Sequence, residues 1–246
     1  MTTALLIQGA WHSRWTERFD EYANTFEEIV ISTYKNDISK LALFPNVLGH
    51  PKVSVVLNHS SIPPGADWYG NVWYQCLTTR AALQQVRSQY VIKARTDEYW
   101  SNLDLMKSAV ETSRKMVCIN IYFKKPCWFP FHIGDHLYGG PTSLFKKGFD
   151  ILEQNLAQDR FNNSSMAAEQ KICLSLLSAA GEVPNWQQSR TSMLAHWQTI
   201  DASLLEPFWF NAPSVGTVGS SVHHIRECES NNPTVDLFNS IDKYFE

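Results

Sequence analysis

YVIKARTDEYW, residues 90–100, starts apolar and ends charged. Tyr90, Val91 and Ile92 have the aromatic and β-branched make-up of a buried strand. Lys93, Arg95, Asp97 and Glu98 crowd its far end. Four charges there are costly unless that end opens into a site. In open α/β sheets, ligands bind just beyond the carboxyl ends of the strands. The stretch therefore offers two cations and a carboxylate at a ligand edge, the chemistry that holds a diphosphate with or without a metal. In an extended strand Arg95 and Asp97 point to one side and Glu98 to the other. Asp97 can ligate Mg²⁺ or Mn²⁺, hard ions that bridge phosphates. Arg95 can grip a phosphate through its planar fork. The bland alternative is an Arg95–Asp97 pair that only caps the strand.

On either side of this stretch, strand-like and helix-like segments alternate. Residues 4–8 read as a strand closed by Gly9, and 14–26 as a helix with Thr16 as its cap. EIVIST (28–33) and VSVVLN (53–58) read as strands, and 71–87 as a helix. Beyond Trp100 come a helix over 103–112, a strand over 116–123, and helices over 142–156 and 167–180. The last of these starts near Ser164 or Ser165, and a final helix lies near 235–244. Between them KKPCWFPFHIGDHLYGGP (124–141) is rich in Pro, Gly and aromatics. The βα rhythm predicts an α/β fold, a mostly parallel sheet covered on both faces. With no repeat or linker, one domain over 1–246 is the simplest account.

Composition narrows the function classes. Of 246 residues 44% are hydrophobic and 18% charged, which specifies a globular protein and not a disordered one. A net charge of −3 without a basic run argues against a nucleic-acid surface. Cys76, Cys118, Cys127, Cys173 and Cys228 are odd in number and form no CxxC, so neither a disulfide framework nor a structural zinc site is expected. MTTALLIQGAW has no basic n-region and too short an apolar run for a membrane span. A cytoplasmic location is expected, and Asn-x-Ser triplets at Asn58, Asn162 and Asn163 then carry no weight. The nine tryptophans suit carbohydrate stacking or simply fill the core.

Further polar residues sit where other strands and helices end or begin. Gln8-Gly9 comes after the first strand, where glycine admits a close ligand or makes a plain turn. Ser32, Thr33 and Tyr34 come after the second and can hold a base or ribose, or cap the next segment. Asn71 and Gln75 share a helix face toward ligand or solvent. Arg80 serves an anion or a surface pair. His132, Asp135 and His136 beside Gly134 resemble an active-site loop. Asp135 can be a second metal or sugar ligand or a general base, and the histidines zinc ligands or core residues. Glu169, near a helix start, complements the dipole or deprotonates an acceptor hydroxyl. His223-His224 is another pyrophosphate or metal contact.

Taken in order, these residues resemble WavE-type lipopolysaccharide-synthesis glycosyltransferases and related glycosyltransferases of large DNA viruses. The matching pieces are Ile7-Gln8-Gly9, Ser32-Thr33-Tyr34, Asn71 with Gln75, Lys93-Ala94-Arg95-Thr96-Asp97, Gly134-Asp135 and Glu169-Gln170, spanning roughly 4–175. The resemblance implies a GT-A-like fold, with a nucleotide-sugar-binding half over about 1–100. An acceptor-binding half and C-terminal elaboration fill about 101–246. It implies transfer of a sugar from a UDP- or GDP-type donor to a glycan acceptor, with inversion. Gln8, Gly9, Ser32, Thr33, Tyr34, Asn71, Gln75, Lys93, Arg95 and Asp97 would bind the donor. Asp97 would hold Mn²⁺ or Mg²⁺, and Asp135 or Glu169 would be the base. Arg95 stands where the first acid of a DxD-like motif belongs, so Arg95 itself can replace part of the metal's charge. A sugar nucleotidyltransferase would want a basic glycine-rich loop after the first strand. A non-catalytic carbohydrate-binding protein leaves the charges after residue 92 unexplained.

Overall fold

In the computed structural model, which describes residues 1–59, 70–120, 130–161, 166–205 and 208–209, every side chain of β1 (Thr3–Gln8) is buried. Ala4 and Leu6 enter one apolar cluster, Leu5 and Ile7 another. A strand buried on both faces lies inside a sheet. The chain continues through α1 (Phe19–Thr25), β2 (Glu28–Tyr34), α2 (Ile38–Leu41), α3 (Pro45–Leu48), β3 (Val53–Asn58), α4 (Gly70–Gln85), β4 (Tyr90–Arg95) and β5 (Glu98–Tyr99). It then forms α5 (Leu103–Thr112), β6 (Met116–Ile119), β7 (Tyr138–Pro141), α6 (Thr142–Ala157), α7 (Ala168–Ala179), α8 (Ser189–His196), β8 (Trp197–Ile200) and β9 (Phe208–Trp209).

The main sheet has the order β3-β2-β1-β4-β7-β6-β8, and β5 pairs with β9 apart from it. β3, β2, β1 and β4 run parallel to one another. β7 runs against both β4 and β6, and β8 is parallel to β6. This is the α/β class expected: a mostly parallel mixed sheet flanked by helices. Side chains of α4, α6 and α7 share one core cluster with one face, and those of α1 and α5 share the other with the opposite face. Each buried branched side chain contributes about 2 kcal/mol. A one-residue slip would turn a whole strand's set over, so register is tightly fixed.

Several local readings change. A 3-10 turn over Arg14–Arg18 replaces the first half of the helix expected over 14–26. Trp15 is completely buried there, and Thr16 donates back to the Ser13 carbonyl instead of capping. The last four residues of the aromatic segment are a strand, β7, in spite of poor β-propensity. Glycine is required there: a Cβ on Gly139 would lie 2.7 Å from the Val91 carbonyl oxygen of β4. α7 starts at Ala168, where Gln170 reaches back to accept from the Ala167 N–H at 2.9 Å. Ser164, Ser165, Cys127, Cys228, His223, His224 and the helix expected near 235–244 lie outside the described residues. No described helix is long and apolar enough to cross a membrane.

Candidate functional site

β1, β2 and β4 end at Gln8, Tyr34 and Arg95, and the register sets Gln8 between Ser32 and Arg95. A cavity of about 290 Å³ opens at this carboxyl edge. The strand ends line it with Gln8, Gly9, Ala10, Tyr34, Arg95, Thr96 and Asp97, and α4 closes it with Asn71, Tyr74 and Gln75. Gln8 is fixed by the Thr78 hydroxyl of α4, which donates to its Oε1 at 2.7 Å. Gly9 has φ +132°, and a Cβ on it would lie 2.6 Å from Thr96 Oγ1, so only glycine lets the two strand ends approach this closely. The rings of Tyr34 and Tyr74 meet edge to face at 6.0 Å. Burial pushes the Tyr34 phenol up to about 12, so it stays protonated and can donate.

The chain turns after β4, and this alters the charged end. Arg95 Nε and Nη2 donate to Asp97 Oδ1 and Oδ2 at 2.9 and 2.7 Å, a two-pronged pair. Arg95 Nε also lies 3.2 Å from Glu98 Oε1. Glu98 therefore shares the side of Arg95, contrary to the extended-strand expectation, because the turn at Thr96 and Asp97 breaks the period of two. Burial raises the Asp97 carboxyl, but Arg95 outweighs it and holds the group below its ordinary range. Burial likewise opposes the Arg95 charge, and the carboxylates of Glu98 and Asp97 overcome it, so the guanidinium stays charged.

Other expected donor residues sit behind the wall. Ser32 is fully buried, donating to the Thr78 carbonyl at 2.7 Å and accepting from Asn58 Nδ2 at 2.8 Å. The Thr33 hydroxyl donates to Asp37 at 3.1 Å. Lys93 is wholly buried one strand-repeat below Arg95, donates to the Asp135 carbonyl at 2.6 Å, and lies 5.1 Å from the Tyr138 ring centroid. Desolvation draws its amine down to about 8.

Asp135 is buried as well. Its Oδ2 accepts from Gln75 Nε2 at 2.7 Å, and its Oδ1 lies 3.6 Å from His136 Nε2. Burial would raise this carboxyl, but the charges of His136, Lys93 and Arg95 with the Gln75 bond carry it well below the usual carboxylate range. His136 Nδ1 is hydrogen-bonded to Glu98 Oε1. Glu169 stands in the first turn of α7 with its side chain 23% exposed, 3.9 Å from His132 Nε2. Arg80 pairs with Asp150 at 2.7 Å and Glu153 at 3.2 Å on the surface of α4 and α6, the surface-pair alternative.

The divalent ion expected at Asp97 finds a poor donor set. Both Asp97 oxygens are taken by the Arg95 fork. Asp135 is bonded behind the wall, and among the described residues no three His, Cys, Asp or Glu side chains gather as a metal set. As placed, these residues do not fit Mn²⁺ or Mg²⁺.

Tyr74 escaped the sequence reading as a site residue, as did the pairing of Glu98 with His136. Tyr74 was within reach of it, three residues after Asn71 and so on the same helical face. Glu98 and His136 touch across 38 positions, which no local spacing reveals.

No protein-family model matches the chain. No curated protein matches it by sequence. Solved structures with a similar trace include glucosyl-3-phosphoglycerate synthase from Mycobacterium tuberculosis, in complex with Mn²⁺, uridine-diphosphate and phosphoglyceric acid. It has 12% identity and a TM-score of 0.43, over 75% of this chain and 80% of that one. HddC from Yersinia pseudotuberculosis has 12% identity and a TM-score of 0.38, over 59% of this chain and 79% of that one. Likenesses this distant assign no role to any residue.

Proposed function

We propose that this chain is a glycosyltransferase that moves a sugar from a UDP- or GDP-type donor to a hydroxyl of a glycan acceptor, with inversion. The observation that carries the reading is the pocket at the carboxyl ends of β1, β2 and β4. It combines two tyrosines, three carboxamides and the Arg95–Asp97 pair in one cavity. Ligands of α/β sheets bind at such edges. The rings of Tyr34 and Tyr74 suit a nucleobase, and Asn71, Gln75 and Gln8 suit ribose and sugar hydroxyls. The resemblance to WavE-type transferases supports the same reading, with residues near 1–100 as the donor half and 101–246 as the acceptor half of one domain.

As the glycosidic bond breaks, negative charge grows on the leaving diphosphate and positive charge on the sugar. Arg95 is the cation at the pocket wall that meets the first, and a preorganised charge there lowers the barrier without reorganising. Of the two candidate bases, Glu169 keeps solvent access and takes the acceptor proton. Asp135 is buried and held low, which makes it a weak base and a better anchor for Gln75.

Incubation with UDP-, GDP- and dTDP-sugars, with and without EDTA, tests the reading. Release of nucleoside diphosphate, undiminished by EDTA, is expected. Pyrophosphate release from a nucleoside triphosphate and a sugar phosphate would overturn it in favour of a nucleotidyltransferase. Absence of a thermal shift with any nucleotide would favour a non-catalytic carbohydrate-binding protein.

A further inference from the structure

The two walls of the pocket are joined behind it by a chain of side chains. On the α4 wall Gln75 Nε2 donates to Asp135 Oδ2 at 2.7 Å. Asp135 Oδ1 lies 3.6 Å from His136 Nε2, and the other ring nitrogen is bonded to Glu98 Oε1. That same oxygen is 3.2 Å from Arg95 Nε on the strand wall, where Arg95 forks onto Asp97. The chain thus begins and ends on residues that line the pocket, while its middle does not. Asp135, His136 and Glu98 are 3%, 2% and 3% exposed. Lys93 ties the Asp135 carbonyl to β4, so the short loop that carries both Asp135 and His136 is anchored to the sheet.

Stability is a weak reason to bury such a group. Ion networks in an interior are often matched or bettered by apolar residues of the same volume. This one also leaves Glu98 Oε2 buried without a hydrogen-bond partner, a cost that a purely structural network has no cause to keep. What it achieves is geometric. Gln75 comes from a helix and Arg95 from a strand end, and the network ties the two side chains together across the back of the pocket. An imidazole is rigid, carries a nitrogen on either side, and here faces a carboxylate with each. A lysine ammonium, a rotating point charge on a flexible stem, does not hold both carboxylates in one fixed plane.

We propose that His136 is a positioning residue of this pocket: through Asp135 and Glu98 it fixes Gln75 and Arg95 relative to each other, so that the two walls meet a ligand as one unit. The proposal rests on reading the pocket as the donor site. It differs from a merely structural role in one respect. Gln75 and Arg95 must act on the ligand non-independently, and only while His136 is present.

A double-mutant cycle decides this. UDP, GDP and dTDP are titrated calorimetrically into wild type, Gln75→Leu, Arg95→Lys and the double variant, and again in a His136→Asn background. Each single change is expected to weaken binding about ten-fold, with the wild-type double variant departing from the product by about five-fold or more. With Asn at 136 the factors should multiply to within about two-fold. Multiplying factors in the wild-type background, or the same departure without His136, would overturn the proposal. Should His136→Asn not fold, His136→Gln takes its place; should neither fold, the wild-type cycle alone decides. Failure of the wild type to bind any nucleoside diphosphate removes the donor reading instead. The same cycle, read in urea unfolding, then decides on the chain: coupling that depends on His136 keeps it, and additivity overturns it.

Discussion

The two ends of the central sheet carry similar residues and use them differently. At the amino end a cavity of about 440 Å³, larger than the one at the carboxyl end, is lined by Glu27, Glu28, Lys52, Arg87 and Ser88 among others. Its charged groups largely bond the backbone. The Glu28 carboxylate accepts from the N–H groups of Arg87 and Ser88 and from the Ser88 hydroxyl. Lys52 donates to the carbonyls of Ala23 and Phe26 at the end of α1, and Glu27 accepts from the Thr3 N–H. Each closes an element end whose backbone groups need partners. At the carboxyl end Gln75, Arg95, Asp97, Glu98 and Asp135 bond one another's side chains. Neither volume nor charge marks a site here. A side chain that satisfies backbone is committed to the fold, whereas one satisfied by side chains can exchange a partner for a ligand.

The largest effect that would break this comparison belongs to Asp97. Asp97→Asn removes the charge that sets the Arg95 fork and puts an amide donor against a guanidinium. Transfer should fall about 1,000-fold, some 4 kcal/mol, with the circular dichroism spectrum unchanged. Near-normal turnover would take Asp97 out of the mechanism and leave the carboxyl end no more functional than the amino end.

Lys93 sharpens the comparison because it lies toward the carboxyl end yet serves the backbone, through the Asp135 carbonyl. Burial holds its amine at about 8, below the ordinary 10.5. Between those values the unfolded chain binds more protons, so this group makes stability rise with pH across the window from 8 to 10.5. The buried thiols of Cys76, Cys118 and Cys173, pushed up by burial, act in the opposite sense. They do so equally in Lys93→Met. The difference between wild-type and Lys93→Met unfolding free energies should therefore climb by roughly 3 kcal/mol in favour of wild type over that window. A flat difference would mean that Lys93 is not the buried cation the structure shows.

Lys93 also shows what one sequence can and cannot convey. Lys93 and Arg95 fall on one face of β4, two residues apart, and the burial of both faces was legible in the β-branched runs. VSVVLN and residues 103–112 were read with their observed bounds. Depth along the strand was not legible: two residues separate a side chain at the pocket from one sealed beneath Tyr138. β7 was hidden because Tyr-Gly-Gly-Pro carries no strand preference, and only the close approach of β4 explains its glycines. Gln8 beside Arg95 and His136 beside Glu98 depend on register and a returning loop.

At the amino end, Glu28→Ala strips the partner from the N–H groups of Arg87 and Ser88. A loss of about 2 kcal/mol in urea unfolding is expected, with donor turnover unchanged at temperatures where the variant is folded. Lost turnover without lost stability would make this cavity the site and reverse the comparison.

The smallest effect separates lining the pocket from lying behind it. Ser32 and Tyr34 fall on the same face of β2, two residues apart, and both have the chemistry to hold a nucleoside. The Ser32 hydroxyl joins the Thr78 carbonyl of α4 to Asn58 of β3, so its partners are already protein. Ser32→Ala should cost about 1 kcal/mol of stability and leave the donor KM as it was. Tyr34 keeps its ring at the pocket against Tyr74. Tyr34→Leu should raise the donor KM about five-fold, the size of one aromatic contact, with little change in unfolding free energy. An exchange of those two outcomes, with Ser32 moving KM and Tyr34 moving stability, would show that binding draws Ser32 out of its buried bonds and that the wall between fold and site stands one strand-repeat deeper.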